Sequence, residues 1–65
     1  MQLILNGEPV ETSAAFVAEL VQQQAGAAAR VAVVVNDHVV PVAAHAAARL
    51  NAGDRVELLT FAGGG

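Results

Sequence analysis

Three glycines, Gly63, Gly64 and Gly65, follow the apolar stretch Val56-Glu57-Leu58-Leu59-Thr60-Phe61, and with them the main chain's own carboxylate becomes a candidate reactive group. A glycine run gives up much conformational freedom on ordering, so it is expected to move freely while the chain is alone. It is also thin. Without Cβ atoms it can thread a cleft too narrow for any other residue and present its carboxylate inside another protein. From Phe61 to Gly65 an extended tail reaches roughly 17 Å, at about 3.4 Å per residue. The competing reading is a frayed terminus or a cloning scar. The rest of the chain has to decide between the two.

No other residues are arranged for catalysis. With no cysteine there is no thiol nucleophile, disulfide framework or zinc knuckle. His38 sits in a turn and His45 in a connecting segment, without acidic or sulfur partners at metal-ligand spacing, so both read as solvated or hydrogen-bonded side chains. Asp37 and Asp54 read as turn residues bonding local backbone amides, and Glu8 and Glu11 as a solvated acidic edge. Nothing resembles a catalytic dyad or a phosphate-cradling loop. The chain cannot activate its own carboxylate, so any chemistry there must be done by a partner.

Composition narrows the class. Sixty-five residues make one domain with a small core. Apolar residues make up 55% and charged residues only 14%, which excludes a disordered segment. A net charge of −3, with Arg30, Arg49 and Arg55 as the sole strong cations, leaves no basic patch for nucleic acid. Lysine is absent, so side-chain amines cannot extend the chain. The N-terminal run lacks the positive flank of a signal peptide, and Val31-Ala32-Val33-Val34-Val35 is far too short to span a bilayer. The expectation is a soluble cytoplasmic domain with no membrane partner.

The elements follow from pattern. Met1 to Asn6 reads as a strand, and Asn6-Gly7 as the type I′ turn of a hairpin returning through Pro9-Val10-Glu11-Thr12. Thr12 or Ser13 is the expected helix N-cap, with Phe16, Val17, Leu20 and Val21 as an apolar stripe, a wet face of Glu19 and Gln22 to Gln24, and Gly26 as the stop. Val31 to Val35 reads as a buried strand, Asn36-Asp37-His38 as a turn, and Val39-Val40 as a strand ended by Pro41. Val42 to Leu50 reads as a short helical or 3₁₀ crossover, and Arg55 to Thr60 as the last strand. One helix across a mixed sheet of about five strands is an α+β arrangement, with a domain at 1–60 and a tail at 61–65. Alternation puts Leu3, Leu5, Val56 and Leu58 in the core with Phe16 and Leu20. It turns Ile4, Leu59 and Phe61, with Ala62 beside them, outward as a partner surface.

Taken together, these residues resemble a ubiquitin-like β-grasp protein, and more narrowly the ThiS family of sulfur carriers in thiamine biosynthesis. The resemblance rests on Asn6-Gly7-Glu8, Val17-Ala18-Glu19-Leu20, Val33 to Asn36 with Val39-Val40-Pro41, Gly53-Asp54-Arg55-Val56-Glu57, and the terminal Gly64-Gly65. It spans the whole chain. Departures stand at Val42 and His45, where family members often carry arginine and an aromatic residue, and at Gly63, where a larger residue is common.

The resemblance implies a carrier rather than an enzyme. An E1-like adenylating enzyme would use ATP and Mg²⁺ to activate the Gly65 carboxylate, with Gly63 and Gly64 threaded into its active site. A cysteine desulfurase system would supply sulfur, and the resulting thiocarboxylate would deliver it to thiazole synthase. Three alternatives share the pattern. The small subunit of molybdopterin synthase uses the same chemistry in a longer chain, a protein modifier would end as an isopeptide, and a plain binding module would not need its glycines.

Overall fold

A computed structural model describes residues 1–26 and 30–60. Strand β1 (Gln2–Leu5) and strand β2 (Glu8–Glu11) form the first hairpin, and helix α1 (Val17–Ala25) follows. Strand β3 (Val31–Val35) and strand β4 (His38–Val40) form a second hairpin. A 3₁₀ turn at Val42–Ala44 opens the crossover to strand β5 (Arg55–Thr60). The sheet order is β2-β1-β5-β3-β4, so the last strand in sequence is the central one in space. Its pairing with β1 is parallel and its pairing with β3 antiparallel.

Both hairpins turn on two residues with positive φ: Asn6 (49°) and Gly7 (86°), then Asn36 (49°) and Asp37 (69°). The left-handed backbone matches the twist of the flanking strands, which is why short turns of this kind favour asparagine, aspartate and glycine. Pro9 lies on the outermost strand opposite Ile4, at a position that needs no N–H for the ladder.

The core lies between α1 and one face of the sheet. Leu3, Leu20, Val17, Val33 and Val56 are fully buried, and Leu5, Leu58, Val31, Ala14 and Leu50 complete the cluster. Five of the six core residues expected from alternation and helix periodicity are therefore buried. Phe16 is the exception. It is only half-buried and precedes the helix, in extended conformation (φ −128°, ψ 155°), bridged to Arg49. Its ring carries the Arg49 guanidinium 4.9 Å from its centroid.

The helix also starts later than the sequence suggests, and neither Thr12 nor Ser13 caps it. Thr12 is buried, and its hydroxyl accepts from Ala14 N at 3.0 Å and donates to Gln23 Oε1 at 2.7 Å. The orphan N–H groups of the first turn find other acceptors. Val17 N donates to Ala48 O and Ala18 N to His45 O, both at 2.9 Å, so the crossover itself seats the helix start. Glu19 Oε1 accepts from Ala15 N and Phe16 N at 2.7 and 3.1 Å, the acidic half of a capping box. Gly26, at φ 85°, ends the helix as expected.

Candidate functional site

Strand β5 leads to the glycines, and both turn asparagines fasten it. Strand β1 stops at Leu5, but the Asn6 side chain continues its ladder, with Oδ1 accepting from Leu58 N at 2.9 Å. On the other side Asn36 Oδ1 accepts from Arg55 N at 2.9 Å, and Asn36 Nδ2 donates to Asp54 Oδ1 at 3.1 Å. Asp54 Oδ2 accepts from Asn51 N at 2.8 Å, the local turn bond expected of it. Asp37 differs from that expectation: its carboxylate takes the Arg55 guanidinium at 3.1 Å instead of a turn amide. Both partners are largely exposed, so this pair contributes at most about 1 kcal/mol.

Alternation holds along β5. Val56 and Leu58 face the core, while Glu57 and Leu59 face outward, with Leu59 50% exposed. Ile4 is also on the outer face, half-buried between Pro9 and Arg55. The two residues do not form one patch. Ile4 sits level with Arg55 and Leu59 lies four residues further along β5, about 13 Å away at roughly 3.3 Å per residue. Charged Arg55 and Glu57 lie between.

The outer apolar surface instead runs from Leu59 toward the opposite edge. Ala32 pairs with Leu59, Val34 with Glu57 and Val39 with Val34, and Val39 is 72% exposed. Val42, just past Pro41, is 76% exposed. Val39 is not among the residues that the sequence pattern turns outward as a partner surface. The signal was available in the two-residue turn at Asn36-Asp37, which fixes the register that sets Val39 against Val34. Phe61, Ala62, Gly63, Gly64 and Gly65, the remaining site residues expected from sequence, lie outside the described residues, as does the division at residue 61.

Neither histidine joins a metal cluster among the described residues. His38 is exposed. His45 is buried, with Nε2 3.0 Å from Val40 O, and so ties the 3₁₀ turn to the end of β4. No described helix is long and apolar enough to cross a membrane.

A mixed five-stranded sheet crossed by one helix, whose central strand runs on into a glycine run, defines a ubiquitin-like β-grasp protein. The ThiS family model matches residues 3–65. The chain belongs to the ThiS family. The crystal structure of the thiamine biosynthesis protein ThiS from Geobacter metallireducens is 37% identical, with 100% of each chain covered and a TM-score of 0.78. A solution structure of a thiamine biosynthesis protein from the same organism is 36% identical over 100% of this chain and 88% of that one, with a TM-score of 0.79. A thiazole synthase from Paramagnetospirillum magneticum is 38% identical over 66 residues, covering 100% of this chain and 20% of that protein. The chain thus spans about one fifth of the length of this curated relative.

Proposed function

We propose that this chain is a cytoplasmic sulfur carrier for the thiazole of thiamine, its cargo carried on the Gly65 carboxylate. The family match running through to the terminal glycines carries the reading. Two similar solved structures are thiamine biosynthesis proteins, which supports this reading over a molybdopterin synthase subunit or a protein modifier.

The carboxylate is inert until activated. An E1-like enzyme would bind the folded body, place the Gly65 carboxylate against the α-phosphate of ATP with Mg²⁺, and release pyrophosphate. In the mixed anhydride that results, AMP is a good leaving group. The terminal sulfur of a persulfide, from a cysteine desulfurase system, would attack the carbonyl and displace AMP. Cleavage of the remaining S–S bond by a thiol would leave a thiocarboxylate for thiazole synthase. In each step the chain itself supplies a narrow backbone for a buried cleft and a body that fixes where that backbone begins. Strand β5 is suited to the second task, because it is central in the sheet and pinned by Asn6 and Asn36. The outer residues Ile4, Leu59, Phe61 and Ala62 are the contact surface for the adenylating enzyme in this reading.

Intact mass of the chain from its host, with fragmentation of the C-terminal peptide, tests the reading. A gain equal to the difference between sulfur and oxygen, localised to Gly65, is the expected result. Failure of an E1-like partner with ATP to form the Gly65 adenylate would overturn it.

A further inference from the structure

Of the three asparagines, Asn6, Asn36 and Asn51, only Asn6 is followed by glycine. Asparagine amides are among the thermolabile groups of proteins. Their loss runs through the main chain, when the amide nitrogen of the next residue attacks the side-chain carbonyl carbon. A side chain on that next residue crowds the nitrogen, and Gly7 has none. A Cβ at Gly7 would meet no atom within 4 Å, and both residues are exposed, so the approach is open to water.

Hydrogen bonding separates the three amides further. Gly7 N, the nucleophile, and Asn6 Nδ2, the leaving group, have no hydrogen-bond partner among the described residues. Only Oδ1 is engaged, by Leu58 N at 2.9 Å. At Asn36 both ends of the amide are held, Oδ1 by Arg55 N and Nδ2 by Asp54 Oδ1, and the following residue is Asp37. Asn51 precedes Ala52, whose Cβ crowds the nitrogen. Asn6 is thus the reactive amide, under one restraint. Its Oδ1 is turned to a residue 52 positions away on β5, whereas ring closure must bring Cγ over Gly7 N. The Leu58 bond has to open first, a local event that need not unfold the sheet.

We propose that Asn6 is a site of spontaneous deamidation, gated by its bond to Leu58, and that one of its two products releases the end of the tail-bearing strand. Gly7 N gives up its proton and bonds to Asn6 Cγ. The Cγ–Nδ2 bond breaks, ammonia leaves with that proton, and a five-membered imide remains. Water then opens the ring, and no oxidant or further reactant is required. Cleavage between Cγ and Gly7 N gives aspartate, whose carboxylate still reaches Leu58 N. Cleavage between the main-chain carbonyl carbon and Gly7 N gives isoaspartate, with the chain now running through Cβ and Cγ. That adds an atom to a turn whose ends are fixed by the pairing of Leu5 with Glu8. It also leaves the carboxylate directly on Cα, one carbon short of Leu58 N. Strand β5 then loses an acceptor two residues before its end at Thr60.

Arg30, Arg49 and Arg55 place each asparagine in its own tryptic peptide, 1–30, 31–49 and 50–55. The test incubates the whole chain at mildly alkaline pH with and without urea. Each peptide is then read by mass spectrometry, with electron-transfer fragmentation to tell isoaspartate from aspartate. Peptide 1–30 is expected to gain the difference between hydroxyl and amino groups before the others, at least tenfold faster in urea. The isoaspartate form, separated by chromatography, should melt about 10 °C or more below the parent and lose amide protection at Leu58. Asn6→Asp, which makes the other product directly, should melt within a few degrees of the parent. Equal rates with and without urea overturn the gating, and an earlier gain in either other peptide overturns the site. An isoaspartate form that melts with the parent overturns the release of β5.

Discussion

Asn6 offers the sharpest test of how the tail-bearing strand is held. Two contributions meet in this residue. Its φ of 49° lies where a side chain with a Cβ is disfavoured, and its Oδ1 accepts from the Leu58 N–H where β1 has ended. Asn6→Gly keeps the backbone comfortable and removes the acceptor, leaving a partly buried N–H without its bond at a cost of about 1–2 kcal/mol. Asn6→Ala removes the acceptor and adds about 1 kcal/mol for a left-handed alanine. The alanine variant should therefore lose about 2–3 kcal/mol, from a total on the order of 3–10 kcal/mol for a chain of this length. With roughly 4–8 °C per kcal/mol in a domain this small, its Tm should fall by about 10–20 °C, and that of the glycine variant by about half as much. Thermal circular dichroism gives both numbers, and amide exchange at Leu58 gives the local one. Exchange there should accelerate in both variants more than at Val33, which is deep in the core. If Asn6→Gly melts with the parent and Leu58 stays protected, the side chain does not extend the ladder and the reasoning fails.

Other perturbations probe the outer face, the core, the helix start and the tail. Leu59→Glu should shift Tm by only a few degrees, because Leu59 is half exposed, yet slow pyrophosphate release by the adenylating enzyme tenfold or more; unfolding would mean that Leu59 supports the core. Leu20→Ala, at a fully buried site, should cost about 3–5 kcal/mol and leave little folded protein in a urea titration at 25 °C. A double-mutant cycle on Phe16 and Arg49 should return a coupling of about 0.5–1 kcal/mol, and a value near zero would show that the stacked pair is ornamental. Removing residues 64 and 65 should abolish adenylation without moving the melting curve, whereas retained adenylation would exclude the terminal glycines from the chemistry.

Much of this architecture was legible because strands and turns are local. Asn6-Gly7 and Asn36-Asp37 declare their turns through backbone conformation, and period-2 alternation in β5 fixes which residues face the core. The helix start was not legible. Thr12 and Ser13 have the chemistry of caps, but the first-turn N–H groups are satisfied by Ala48 and His45, carbonyls some 30 residues further on. No local pattern announces such a partner. Phe16 was drawn into the expected core for the same reason, since its spacing with Leu20 suits a helix that does not yet exist at that position. On the surface, the faces of Ile4 and Leu59 follow from alternation, but their separation depends on the parallel register of β1 against β5. That register joins residues about 50 positions apart, and a single sequence does not encode it visibly.

The position of β5 has a consequence for how the molecule is made. The first hairpin and the second can each form as soon as they leave the ribosome, but neither pairs with the other, and only β5 joins them. A nascent chain halted before residue 55 holds two ribbons and a helix with no sheet to lie on, and an isolated hairpin is marginal in water. The body therefore becomes a recognisable surface only after synthesis has passed the strand that leads into the glycines. A partner that selects for the folded sheet thereby rejects chains broken off upstream of the tail, with no need to inspect the tail itself.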